Sequence, residues 1–72
     1  MPNIAVMFKK STSEEDIDRL MRKYGLSYKY MLRELKVIRI IAPKGKAVYW
    51  VNKLNKHKLV KMAEIEEQLR PH

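Results

Sequence analysis

Residues 11–25, STSEEDIDRLMRKYG, hold the pattern from which the fold can be worked out. Four side chains follow the i, i+3, i+4, i+7 spacing of one helix face: Ile17, Leu20, Met21 and Tyr24. Thr12 followed by Glu15 three positions later forms a capping box, and Ser13 is a second cap candidate. Gly25 suits the left-handed residue that ends a helix. The stretch therefore predicts an amphipathic helix closed by that glycine.

Four strand-like segments lie outside this helix. NIAVMFK (3–9) and KVIRIIA (36–42) are apolar on both faces apart from Arg39, as central strands are. LSYKYMLR (26–33) alternates, with Tyr28, Tyr30 and Leu32 predicted on one side. LVKMAEI (59–65) is a short last strand. These segments predict a four-stranded sheet.

A second helix is predicted between the last two strands. Pro43 ends the preceding strand, and the helical spacing resumes in KGKAVYWVNKLNKH (44–57), with Asn55 as a candidate C-cap. The order strand, helix, strand, strand, helix, strand predicts an α+β, ferredoxin-like βαββαβ sandwich. We expect an antiparallel sheet with two helices on one face, the first and third strands in its centre, and a tight connection at Glu34-Leu35.

The other face of this sheet is predicted to be open. Strict alternation places six residues on it: Ala5, Met7, Met31, Val37, Arg39 and Ile41. So much aliphatic surface predicts a docking face for a partner or for a second copy of the chain. RNA-recognition sheets stack bases on outward aromatic rings, and these positions hold none.

The composition limits the class of protein. The chain has 72 residues and no Cys, with a net charge of +8, which indicates one small domain without a disulfide. Between Arg19 and Lys61 there are thirteen Lys or Arg residues against one acid, so an anionic partner, including nucleic acid, stays open. No signal peptide and no apolar run of membrane-spanning length are found. We expect a cytoplasmic protein with no membrane partner.

Catalytic chemistry is not indicated by any residue pattern. No nucleophile has a base beside it in sequence, and no Gly-rich phosphate loop is present. His57 and His72 are fifteen residues apart without carboxylates placed as metal ligands. We expect no enzyme activity, no metal site and no cofactor.

Two glutamates near the end of the chain share one side of the last strand. Glu64 and Glu66 are two residues apart, which corresponds to about 7 Å along a strand. Their carboxylates could accept backbone N–H bonds at the N-terminus of a partner's helix, or be paired or solvated within the domain. After them, residues 67–72 have no helical or strand period. We therefore divide the chain into a domain of residues 1–66 and an extended tail of residues 67–72.

Taken together, these segments resemble the propeptide inhibitor family of subtilisin-like serine proteases, including its free-standing members. The resemblance covers essentially the whole chain. It rests on IAVMFK followed by STSEEDIDRLMRKYG, then VIRIIAPKGKAVYWVNKL, and VKMAEIE before an extended tail. The order and spacing of these segments carry it more than any single motif.

The resemblance implies a mode of action. The open sheet face would pack on two parallel surface helices of the protease, and Glu64 and Glu66 fall on the acidic positions that cap those helices. In the family the terminal residue of the tail lies six positions after the second acid, which here is His72. The tail residues implied to enter the substrate cleft are Leu69, Arg70, Pro71 and His72.

Individual tail residues have separate expected roles. Leu69 would fill an apolar pocket, and His72 would occupy the primary specificity pocket. Pro71 biases Arg70 toward an extended backbone, which lowers the entropy lost on binding. The resemblance thus implies an inhibitor or folding helper of a subtilisin-like serine protease. A basic nucleic-acid-binding domain and a homodimerising module remain the alternatives.

Overall fold

The computed structural model describes residues 3–66. Within them the chain forms six elements: β1 (Asn3–Phe8), α1 (Glu14–Tyr24), β2 (Tyr28–Leu32), β3 (Val37–Ile41), α2 (Ala47–Asn55) and β4 (Val60–Glu66). The strands form one antiparallel sheet in the order β2-β3-β1-β4. The α+β, ferredoxin-like fold is confirmed, and β1 and β3 occupy the centre as predicted.

The core lies between the sheet and the two helices. Ile4, Val6 and Phe8 of β1 are almost fully buried, and so are Ile38 and Ile40 of β3. From the helices, Ile17, Leu20, Met21 and Leu54 complete the same cluster. Each such side chain contributes about 1.5–3 kcal/mol on burial, so these few residues provide most of the driving force for folding. Tyr28 and Tyr30 of β2 both pack against this cluster, so they share one side of the strand, as predicted.

The N-terminus of α1 is capped by Ser13, the second of the two predicted candidates. Its Oγ accepts a hydrogen bond from the Asp16 N–H at 3.0 Å, and the Ser13 N–H donates to Asp16 Oδ2 at 3.4 Å. Thr12 is instead buried, and its hydroxyl donates to the Leu59 carbonyl oxygen at 3.4 Å. The prediction of Thr12 and Glu15 as the capping box is therefore wrong. Gly25 ends the helix with φ 67°, as predicted.

The connection between β2 and β3 is a tight turn, as predicted. The Lys36 N–H donates to the Arg33 carbonyl oxygen at 3.2 Å, and Lys36 has φ 56°. Just before this turn, β2 contains a β-bulge, because Tyr30 lies opposite Ile38 while Leu32 lies opposite Val37. The bulge adds one residue and reverses the alternation. The prediction that Leu32 shares a side with Tyr28 and Tyr30 is wrong, and Leu32 is 54% exposed.

Neither helix in residues 3–66 combines the length and the apolar character needed to cross a lipid bilayer.

Candidate docking face of the sheet

Within residues 3–66, no helix or loop covers the face of the sheet away from the helices. Directly opposite residues of antiparallel strands share a face, and the β1–β3 register pairs Ala5 with Arg39 and Met7 with Val37. The same register pairs Asn3 with Ile41. Five of the six predicted face residues therefore lie together here: Ala5, Met7, Val37, Arg39 and Ile41. Ile41 is 53% exposed and Val37 is nearly covered, so the face has an accessible edge and a packed centre.

The sixth predicted residue, Met31, lies at the bulge of β2. It is 41% exposed and has no Cα partner on β3, so strand pairing does not assign it to the open face. Leu32 is the residue opposite Val37, and it joins the open face although alternation had placed it on the same side as Tyr28 and Tyr30. Lys29, opposite Arg39, adds a second cation on this side.

Strand β4 adds Met62, Glu64 and Glu66 to the same face. They lie opposite Met7, Ala5 and Asn3 of β1, and Met62 is 47% exposed. Val60 is buried and Met62, two residues later, is on the exposed face, because Lys61 is an extra residue that shifts the register between β1 and β4. Without that extra residue, Met62 and Glu64 would share the side of Val60 and point into the core. The two glutamates share the open face because of the bulge.

The two glutamates differ in their surroundings. The Glu66 carboxylate accepts two contacts from the Arg39 guanidinium, at 3.2 Å from Nε and 3.1 Å from Nη2. Glu64 is exposed, and the ion pairs formed within residues 3–66 do not include it. Within the described part of the chain, one of the two predicted capping carboxylates is therefore unpaired at the surface, and the other is held by a residue of the docking face.

A side chain of α2 fixes the strand that carries these glutamates. Asn55 Nδ2 donates to the Ala63 carbonyl oxygen at 2.9 Å, and the Ala63 N–H donates to Asn55 Oδ1 at 2.9 Å. The amide thus pairs with the outer edge of β4 as a neighbouring strand would. This role differs from the C-cap predicted for Asn55. The residue that caps the end of α2 is Lys56.

The remaining site predictions concern the tail residues and a metal site. Leu69, Arg70, Pro71 and His72 lie outside the described residues. Within residues 3–66, no three His, Cys, Asp or Glu side chains are grouped closely enough to hold a metal ion.

Comparison with known proteins found no matching family model, no similar curated protein and no similar solved structure.

Proposed function

We propose that this chain is a propeptide-like inhibitor, or folding helper, of a subtilisin-type serine protease. In this proposal it acts without catalysis or a cofactor and docks through the open face of its sheet. The observation that carries the proposal is the composition of β4. Met62, Glu64 and Glu66 present an apolar side chain and two carboxylates on one side of the strand that leads into the tail.

The aliphatic part of the face supports docking on helices. Ile41, Met62 and Leu32 are each about half exposed around the better covered Val37 and Met7. A protein of this size rarely leaves such side chains grouped on one uncovered sheet face without a partner. Two packed helices offer an apolar ridge that this face could cover, with Glu64 at one border.

The carboxylates support recognition of helix N-termini. The first N–H groups of a helix lack intrahelical partners and carry partial positive charge. Capping by a carboxylate is worth about 0.5–2 kcal/mol. Glu64 forms no ion pair with another described residue and could make this contact, whereas Glu66 would have to leave Arg39. The Arg39–Glu66 pair has two contacts but is partly open to water, with the side chains 44% and 24% exposed, so it is worth on the order of 1 kcal/mol and a helix N-terminus can compete for Glu66.

The first test is inhibition of several subtilisin-type proteases by the full chain and by a chain ending at Gln68. The shorter chain keeps every described residue and loses Leu69 to His72. We expect inhibition by the full chain that weakens strongly on truncation. If the full chain inhibits none of these enzymes, the proposal is wrong.

The second test addresses the docking face with a matched pair of variants. Ile41→Glu places a charge on the open face, and Val48→Glu places one on the exposed side of α2, where Val48 is 64% exposed. Both changes introduce the same charge at a surface aliphatic residue. We expect only Ile41→Glu to weaken inhibition. Equal inhibition constants for the two variants would place the contact elsewhere.

The third test addresses the carboxylates. We expect Glu64→Gln to weaken inhibition by about fivefold, since it removes roughly 1 kcal/mol of charge-assisted capping. Glu34→Gln, an exposed change in the β2–β3 turn, is the control. If both changes weaken inhibition equally, net charge rather than capping explains the effect.

A second copy of the chain is the competing occupant of this face, because the same aliphatic side chains would suit a homodimer. Sedimentation velocity of the unmodified chain and of Ile41→Glu separates the two. A dimer that Ile41→Glu converts to monomer, without any protease inhibition by the unmodified chain, would favour self-association.

A further inference from the structure

The positive charge of this protein is concentrated in one part of the chain. Residues 35–63 contain eight Lys or Arg and no Asp or Glu. The other eight Lys and Arg residues of the chain are balanced by its eight acids, so this segment accounts for the whole net charge of +8. Five of the eight are lysines of α2 and its flanking loops: Lys44, Lys46, Lys53, Lys56 and Lys58.

Along the solvent side of α2, three of these lysines flank an exposed aromatic ring. Lys46, Tyr49, Lys53 and Lys56 follow one another at spacings of three or four residues, which makes them neighbours on one helix surface. Tyr49 is 52% exposed. We call these four residues the α2 stripe. The first turn of α2 contains no acid, so nothing there offsets its positive end.

The ring of Tyr49 is held in place by its surroundings. It packs edge-on against Trp50, with ring centroids 5.2 Å apart, and Trp50 packs in turn on Tyr24 at 5.1 Å. Lys53 Nζ lies 3.3 Å from the Tyr49 hydroxyl oxygen, and Lys46 Nζ lies 5.9 Å from the Tyr49 ring centre. An exposed ring supported in this way loses little conformational entropy when another flat group stacks on it.

We propose that the α2 stripe binds single-stranded nucleic acid, with phosphates contacting the lysines and a base stacking on Tyr49. Channels for single strands combine positive charge that follows the backbone with rings on which bases stack. The open sheet face offers no such platform, because none of its described positions holds an aromatic side chain. This surface lies on the other side of the sheet from the docking face, and the inference does not depend on the proposed function.

Two other anionic partners fit the stripe less well. A lipid surface would attract the lysines, but Ala47 and Leu54 of α2 are buried against the sheet and cannot insert, which leaves Val48 and Tyr49 as the exposed apolar side chains of this helix, a small area for membrane binding. A double helix would meet the lysines with its phosphates and leave the ring of Tyr49 without a stacking partner. Only a single strand uses both the charge and the ring.

The test is fluorescence anisotropy of a labelled twelve-nucleotide oligothymidylate, titrated with the full chain at several salt concentrations. We expect Tyr49→Ala to lower affinity between about fivefold and about 150-fold, the range for losing one stacked base. Tyr49→Phe keeps the ring and should bind like the unmodified chain. The fluorescence of Trp50, the single tryptophan, should be quenched on binding.

Matched charge variants test the location of the site. Changing the three lysines of the α2 stripe, Lys46, Lys53 and Lys56, to Gln should flatten the slope of log affinity against log salt by about 2, since each phosphate contact on a single strand contributes about 0.7. The control changes Lys9, Lys10 and Lys29 to Gln, which lowers the net charge equally. Circular dichroism confirms that both triple variants are folded.

Three results would overturn the proposal. One is equal affinity loss in the two triple variants, which would indicate that net charge alone attracts the oligonucleotide. Another is unchanged affinity after Tyr49→Ala. The third is binding of phosphatidylserine vesicles, duplex DNA or polyglutamate as tight as that of the single strand, which would show that any polyanion is accepted.

Discussion

Replacing Asn55 by Ala tests how β4 is held in place. Asn55 makes two hydrogen bonds of 2.9 Å to the backbone of Ala63, which is 4% exposed. Each such bond has a net worth of about 1 kcal/mol, so losing both should cost about 2 kcal/mol. Alanine is the better helix former, which returns a few tenths of a kcal/mol at the last residue of α2. We expect the free energy of unfolding to fall by roughly 1.5–2 kcal/mol.

This loss is large for a protein of 72 residues. A change of 1 kcal/mol shifts the Tm of a domain of this size by about 4–8 °C, so the Tm of Asn55→Ala should fall by roughly 6–16 °C. The assay is urea unfolding followed by circular dichroism, together with a thermal scan. Amide hydrogen exchange of Ala63 should also become faster, because its N–H loses its acceptor.

Asn52→Ala is the matched control for this prediction. Asn52 is on the same helix and exposed, and its side chain makes none of the hydrogen bonds found in residues 3–66. Its replacement should leave stability unchanged or raise it by up to about 0.7 kcal/mol through helix propensity. If Asn55→Ala and Asn52→Ala unfold at the same urea concentration, the Asn55–Ala63 pair does not stabilise β4 and the reasoning is refuted.

Three further predictions concern the turn, the helix cap and the histidine. Lys36 has φ 56°, where a side chain is strained, so Lys36→Gly should raise the free energy of unfolding by about 0.5–1 kcal/mol; an unchanged or lower urea midpoint would contradict this. Ser13→Ala should lower it by about 1 kcal/mol, whereas Ser11→Ala, two residues earlier and exposed, should not; equal midpoints would argue against the cap. Burial of the His57 ring, and to a smaller extent the positive charges of Lys23 and Lys58, lower the pKa of His57 below 6.5. Between these pKa values the unfolded chain binds a proton that the folded chain does not. Stability should therefore fall as the pH drops from 7.5 to 5.5, and His57→Asn should reduce this fall; the same urea midpoint at both pH values in the unmodified chain would disprove the effect.

The element order could be predicted because it depends on local periodicity. The helix of residues 14–24 has its apolar side chains on one face and a glycine that ends it, and both features lie within a single stretch. The two central strands are apolar on both faces. One face packs against the helices, and the other forms the centre of the docking face. Patterns of period 2 and period 3.6 depend on the residues of one element alone.

Positions that depend on a neighbour could not be predicted in the same way. Thr12 and Ser13 were both cap candidates, and Ser13 caps α1 because Thr12 is buried with its hydroxyl on Leu59. The amide of Asn55 was predicted as a C-cap and instead binds a strand eight residues later in the chain. In each case, two local roles were equally compatible with the residue type, and packing against a distant segment selected one.

The residues of the candidate docking face also divide into those that local alternation predicts and those whose side depends on a neighbouring strand. Its aliphatic positions on β1 and β3 followed from alternation, because each strand pairs regularly there. The other positions depend on one extra residue in each edge strand. Met31 in β2 turns Leu32 to the open side, and Lys61 in β4 does the same for Met62 and Glu64. A bulge is a property of two paired strands, so the period of one strand alone does not fix its position.

The sequence by itself determined the element order, the central strand pair, the aliphatic open face and a segment that carries all of the net positive charge. Only the tertiary structure decided that Glu66 is held by Arg39 while Glu64 forms no ion pair with another residue of 3–66, because Arg39 and Glu66 are 27 residues apart and meet across β1. Local patterns are set by neighbours in the chain, whereas the register of a sheet and the ion pairs across it are set by how distant segments pack.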